Sequence, residues 1–372
     1  MRKRFLWLFA VLWLSVQACQ AVGSGEWPGK NPWSTKEWRT YASRPEQGYE
    51  NFRVYVDYEP QKEGETHSVY ADYGVIALPD NYSPDGEPVR LIVFCQGTGE
   101  RTQATTNPLN NHGWKYFLAK GYAVMDMNGY SFAWASHRGL PVVGQHYAHK
   151  SLLDSYKKGY DYVMQKYNLK KEVLLMGLSM GGGASFMLAH HAAFPIVAQV
   201  GFCPALSLFK QNYMKPWGGT KQQITIAGQW GFPEWDTTAP DMEYFLQNWN
   251  LVDGYENLFY RVRGDDATVE AAKRNYGNEA EREAFAKLAK PHPCPLKIWH
   301  CMDDATVLFR YSEYVVNMIK NAGGKAELRP FQKGGHGGGW LNNPVTDTDI
   351  HGNPINVSTN FKEALEFLKQ YE

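Results

Sequence analysis

Ser179 stands in LLMGLSMGGGAS (174–185), between an apolar run and the row Gly181-Gly182-Gly183. A serine hydroxyl is a weak nucleophile. It attacks a carbonyl carbon when an imidazole takes its proton and a carboxylate orients that imidazole. Gly177-Leu178-Ser179-Met180-Gly181 has the form G-x-S-x-G, a sharp strand-to-helix turn that lifts the hydroxyl clear of a sheet. In such a turn the residues two before and two after the serine nearly touch, and glycine lacks the Cβ that would clash. The first N–H groups of the following helix have no intrahelical acceptor, so they favour developing negative charge.

Where this turn is catalytic, an acid and then a histidine follow in the chain. LKIWHCMDD (296–304) reads as a strand ending in two carboxylates, Asp303 and Asp304. The C-terminal ends of strands are where open α/β sheets place their sites. LRPFQKGGHGGGW then puts His336 in a glycine-rich loop after another strand. Of the 11 histidines, it alone combines a post-strand loop with this chain order. One carboxylate faces the imidazole, and the other is expected to sit solvated in the turn.

The elements that must hold these residues alternate. FRVYVDY (52–58) and SVYADYGVIALP (68–79) suggest a hairpin. Strands are expected at 89–97, 122–130, 172–179, 196–204, 296–304 and 325–334. Helices are expected at 112–121, 151–167, 180–193, 308–324 and 360–372. Apolar residues Leu152, Tyr156, Tyr160, Val163 and Tyr167 share one helical face. Such alternation predicts a mostly parallel sheet covered by helices on both faces, an α/β fold. The interval 207–292 breaks the rhythm and reads as an inserted helical cap. DMEYFLQNWNLV (241–252) supplies it with one amphipathic helix, and Asn278 with Glu281 forms a capping box for another.

From about Tyr70 onward the chain resembles the α/β-hydrolase superfamily, in its secreted esterase and prolyl-oligopeptidase-like branch. The pieces that carry this are YGVIALPDNYSPDGEPVRLIVFCQGTG, GLSMGG, WHCMDDATV and GGHGG. The resemblance implies a Ser179–His336–Asp304 triad with no cofactor and no metal. Asp304 is implied over Asp303 because His300, Asp304 and Val307 fit the family spacing H-G-x-x-D-x-x-V, with Cys301 in place of the glycine. It also implies an oxyanion hole made by the N–H groups of Met180 and Thr98, although Gln96 stands where the family has histidine.

Composition agrees with a folded globular chain. The 372 residues are 44 % hydrophobic and include 13 Trp, which supports a large core. Lys+Arg and Asp+Glu are 38 each, so nucleic acid is not an expected partner. Residues 1–21 read as an export signal: basic Met1-Arg2-Lys3-Arg4, an apolar run too short to span a bilayer, then small residues. Val16-Gln17-Ala18-Cys19 resembles a lipobox in which Cys19 is lipidated, giving a periplasmic or cell-surface lipoprotein. Plain cleavage near Ala18 or Ala21 gives a secreted one. Residues 22–48 read as a tether, and 49–372 as the hydrolase domain. Cys95, Cys203, Cys294 and Cys301 are expected as buried thiols, with a Cys203–Cys301 disulfide as the alternative. No cysteine and histidine spacing suits zinc.

The expected function is an exported serine esterase acting on a small-molecule or oligosaccharide ester, with Trp230 and Trp235 as flat aromatic walls for substrate. A prolyl-oligopeptidase-like peptidase is the first alternative, with the short stretch ahead of the hydrolase strands favouring the esterase. A glycan-binding surface lipoprotein with an inactive core is the second.

Overall fold

The structure, a computed structural model, describes residues 48–58, 68–97, 112–129, 131, 133–134, 150–206, 292–321, 323–337 and 344–372. The leader with Cys19, the tether up to residue 47, the cap interval up to residue 291, and Thr98, Trp230 and Trp235 lie outside them.

Ten strands and five helices follow in order among the described residues. They are β1 (Tyr49–Tyr58), β2 (Ser68–Ala77), β3 (Leu91–Cys95), α1 (His112–Ala119), β4 (Ala123–Met127), α2 (Lys150–Lys166), β5 (Val173–Leu178), α3 (Met180–His190), β6 (Ile196–Phe202), β7 (Leu296–Cys301), α4 (Phe309–Asn321), β8 (Ala326–Phe331), β9 (Pro344–Thr348), β10 (Pro354–Ser358) and α5 (Thr359–Lys369). Eight strands make one sheet in the order β1-β2-β4-β3-β5-β6-β7-β8. β1 and β2 form the expected antiparallel hairpin, and β2 runs antiparallel to β4. All remaining pairs are parallel.

The continuous apolar runs divide by the two-residue period of a strand. On β3, Leu91, Val93 and Cys95 enter one core, whereas Ile92 and Phe94 enter the other. β5 divides the same way, with Val173 and Leu175 on one face and Leu174 and Met176 on the other. The first core is closed by Leu152, Tyr156 and Val163 of α2 and by Ala184 and Leu188 of α3. Trp114 and Phe117 of α1 and Leu365 and Leu368 of α5 close the second. Burying each of these large side chains contributes about 1.5–3 kcal/mol relative to exposure.

One element was not expected. β9 and β10 form a separate antiparallel hairpin. Half of its residues are exposed, only Val357 is buried, and both strands begin with proline. Polar anchors dock it on α1: Tyr116 Oη donates to Asp347 at 2.8 Å, and Lys120 Nζ donates to the Thr348 carbonyl at 2.6 Å. The cysteines also settle as thiols. Cys95, Cys203, Cys294 and Cys301 are all buried and unbridged, so the Cys203–Cys301 disulfide does not form.

A buried polar chain connects the entry of β7 to α3. His292 Nε2 lies 2.8 Å from Gln199 Oε1, Gln199 Nε2 donates to Ser185 Oγ at 2.9 Å, and Ser185 Oγ donates to the Gly182 carbonyl at 2.9 Å. Burial, with a smaller effect from His190, pushes the His292 imidazole down from 6.5 to about 3. Between those values the unfolded chain binds a proton here and the folded chain does not. Stability therefore falls as pH falls through this window, by about 1.4 kcal/mol per pH unit. Asp72, pushed up by burial from 3.8 to about 6, acts in the opposite sense between those two values. His292→Gln is expected to flatten the acid side of the stability curve, read from urea midpoints at pH 7 and pH 4.5. An unchanged slope would refute the assignment.

Candidate active site

β5 ends at Leu178 and α3 begins at Met180, so Ser179 alone makes the turn. Its backbone sits at φ 54, ψ −119, a region that costs a non-glycine residue about 1–3 kcal/mol. The surroundings hold it there. Ser179 N–H donates to the Phe202 carbonyl at 2.9 Å, and Ala205 N–H donates to the Ser179 carbonyl at 2.7 Å. The glycines on either side answer to close approach. A Cβ on Gly177 would lie 2.3 Å from the Gly181 carbonyl oxygen, and one on Gly181 would lie 2.1 Å from that of Cys95. Both obstacles are backbone and cannot rotate away. Gly181→Ala is accordingly expected to cost about 3 kcal/mol, measured as a lowered urea midpoint. A midpoint equal to the parent's would show that the elbow is looser than these distances.

The three side chains singled out above converge on the C-terminal edge of the sheet. Ser179 Oγ lies 2.9 Å from His336 Nε2, and His336 Nδ1 lies 2.8 Å from Asp304 Oδ2. An ionised carboxylate only accepts, so Nδ1 carries the ring proton and Nε2 accepts from the serine hydroxyl.

Asp304 is saturated by donors. Its Oδ1 accepts from the N–H groups of Thr306 at 2.8 Å and Val307 at 2.9 Å. Its Oδ2 is shared between His336 and His300, whose Nε2 lies 3.1 Å away. Burial pushes this carboxyl up, but the hydrogen bonds from His300, His336 and Val307 outweigh it and hold the group well below the usual carboxylate range. Stability from these bonds is present above pH 3.8 and is lost as the pH falls below it. His300 is itself fixed. Its Nε2 also reaches the Val307 carbonyl at 2.8 Å, and its Nδ1 meets Ser312 Oγ at 2.7 Å. The spacing of His300, Asp304 and Val307 is thus one closed hydrogen-bonded turn. The sequence flagged His300 by its spacing, without a part in holding the acid.

Asp303, expected as a solvated carboxylate, is exposed but bonded. It accepts from Gly335 N–H at 2.9 Å and Gly334 N–H at 3.3 Å. Those bonds, Gly335's first, hold its carboxyl below the usual value. It thereby clips the loop that carries His336. Met180 opens α3, and helix geometry leaves its N–H without an intrahelical acceptor beside Ser179.

No protein-family model matches the chain, and no curated protein matches it in sequence. Solved structures do match. A prolyl endopeptidase structure is 15 % identical, with 88 % of this chain and 39 % of that chain covered at a TM-score of 0.51. Acylaminoacyl peptidase of Pyrococcus horikoshii is 15 % identical, with 78 % and 38 % covered at a TM-score of 0.44. The Est2 esterase of Thermogutta terrifontis is 16 % identical, with 85 % and 91 % covered at a TM-score of 0.45. The chain spans about two fifths of the length of the two peptidases. Its helix-covered, mostly parallel sheet is similar in fold to that prolyl endopeptidase structure. The described residues have the α/β-hydrolase fold.

Proposed function

We propose that the protein is a serine hydrolase that cleaves carboxylic esters through an acyl-enzyme. The observation that carries this reading is the continuous relay from Ser179 Oγ through His336 to Asp304 on a strained elbow. Ser179 Oγ attacks the ester carbonyl carbon while His336 Nε2 takes its proton. The tetrahedral oxyanion is received by the Met180 N–H and, in this reading, by the Thr98 N–H in the loop after β3. Collapse breaks the carbon–oxygen bond, and His336 returns the proton to the leaving alcohol. Water, deprotonated by His336, then attacks the acyl carbon and releases the acid.

The ester is the substrate class that asks least of this site. An alkoxide leaves more readily than an amide anion, so a relay of this form is acylated more easily by esters than by amides. An acyl group on an oligosaccharide is our reading of the natural substrate, with Trp230 and Trp235 as its aromatic walls. The relay serves amides too, and kcat/KM on short p-nitrophenyl esters against matched peptide anilides decides between them. The esterase reading expects the esters to be preferred by at least about 10²-fold. Equal or better turnover of the anilides would replace it with a peptidase.

We further propose export, with Cys19 carrying the lipid anchor. Cys19→Ser is expected to move the protein from the membrane fraction to the soluble one, and unaltered fractionation would count against lipidation. Among the described residues no helix is long and apolar enough to cross a membrane.

A further inference from the structure

We propose that the acid–base end of this site is also a binding site for a thiophilic divalent cation, Zn²⁺, whose occupation switches the hydrolase off. The switching rests on the hydrolase reading above; the binding does not.

Cys203 follows β6, Asp304 follows β7 and His336 follows β8. These three strands are adjacent and parallel, so residues just beyond their C-terminal ends meet. One ligand atom each from Cys203, Asp304 and His336 lies within 4.8 Å of the others. A sulfur, an oxygen and a nitrogen donor make a set typical of zinc. Three protein ligands leave the fourth tetrahedral position for water. The thiolate disfavours Mg²⁺ and Ca²⁺. Bonds of about 2.0–2.3 Å in tetrahedral geometry require His336 Nδ1 and Asp304 Oδ2, now 2.8 Å apart, to open slightly. Asp304 is pinned by the Thr306 and Val307 N–H groups, and Cys203 by its own N–H donating to the Trp299 carbonyl at 2.8 Å. The glycine-flanked loop of His336 takes up the difference, and a quarter of that side chain is exposed, which gives the ion its entry.

His336 Nδ1 already meets Asp304 Oδ2 at 2.8 Å, so the ion enters between them. The Cys203 thiol loses its proton to solvent as the sulfur–zinc bond forms. The Nδ1 proton moves to Nε2 as the nitrogen–zinc bond forms. Nε2 then donates and no longer accepts from Ser179, so the nucleophile has lost its base. One ion is bound and one proton released.

The test uses the full chain with Zn²⁺ and with Co²⁺ as a spectroscopic substitute. Zn²⁺ should inhibit p-nitrophenyl ester turnover, and Cys203→Ala and Cys203→Ser should each raise the half-inhibiting concentration at least about 100-fold, relative to each variant's own uninhibited rate. Co²⁺ should give a near-ultraviolet thiolate charge-transfer band in the parent that is lost in both variants. The band is read on the parent, so it survives poor folding of a variant. Absence of the band, or equal inhibition of parent and variants, overturns the site. A Cys203-dependent band in a protein that turns over no ester would uphold the site and overturn the hydrolase reading instead.

Discussion

Ser179→Ala is expected to lower the turnover of a short p-nitrophenyl ester by about 10⁶-fold, the loss seen when the nucleophile of comparable relays is removed. The size follows from the geometry. Ser179 Oγ is the atom that would bond to the acyl carbon, and it lies 2.9 Å from the base. Alanine leaves the Met180 N–H in place, so a residual rate from oxyanion stabilisation and binding is expected above background. The fold should survive, because Ser179 is held through its backbone N–H and carbonyl rather than its side chain. Parent and variant should therefore share a urea midpoint within about 1 kcal/mol while differing in rate by six orders of magnitude. A variant that retains a tenth of the parental rate would remove Ser179 from the chemistry.

Asp304→Asn is expected to lower kcat by about 10⁴-fold, and the reason is a conflict between donors. Oδ2 of Asp304 faces the Nε2 of His300 and the Nδ1 of His336, while Oδ1 faces two backbone N–H groups. All four are donors to a carboxylate. An asparagine must place its NH2 on one side or the other. Toward Thr306 and Val307 it opposes two N–H groups that cannot move. Toward the histidines it accepts the His336 ring only as the other tautomer, with the proton on Nε2, where it cannot take one from Ser179. Asp303→Asn makes the contrast, because an amide oxygen can still accept from the Gly334 and Gly335 N–H groups. Its expected effect on kcat is within about 10-fold. Equal losses from the two variants would mean that the neighbouring acids share the role.

The parallel sheet was legible because its central strands are buried on both faces and so read as apolar runs. Leu91–Cys95 and Val173–Leu178 are the plainest cases. The elbow was legible because close backbone contact at Gly177 and Gly181 leaves no alternative to glycine. The β9–β10 hairpin was not, because it buries little beyond Val357 and owes its pairing to polar contacts with α1. The spacing of His300, Asp304 and Val307 alone favours Asp304 over Asp303, and the physical difference between the two acids is seen only in the fold. The two differ in which way they leave the end of β7, Asp304 toward His300 and His336 and Asp303 toward the Gly334 and Gly335 N–H groups. The approach of Cys203 to Asp304 and His336 is further from sequence still. It arises from the lateral order of β6, β7 and β8, across a gap of about a hundred residues between the first and the second.

The most direct measurement is peptide mapping by mass spectrometry after treatment with a fluorophosphonate, which phosphonylates an activated serine and expels fluoride. The account predicts one adduct per chain, on the peptide containing Ser179, and its loss in His336→Ala, where the base is missing. Stoichiometric labelling of another serine, or no labelling of a folded parent protein, would contradict it.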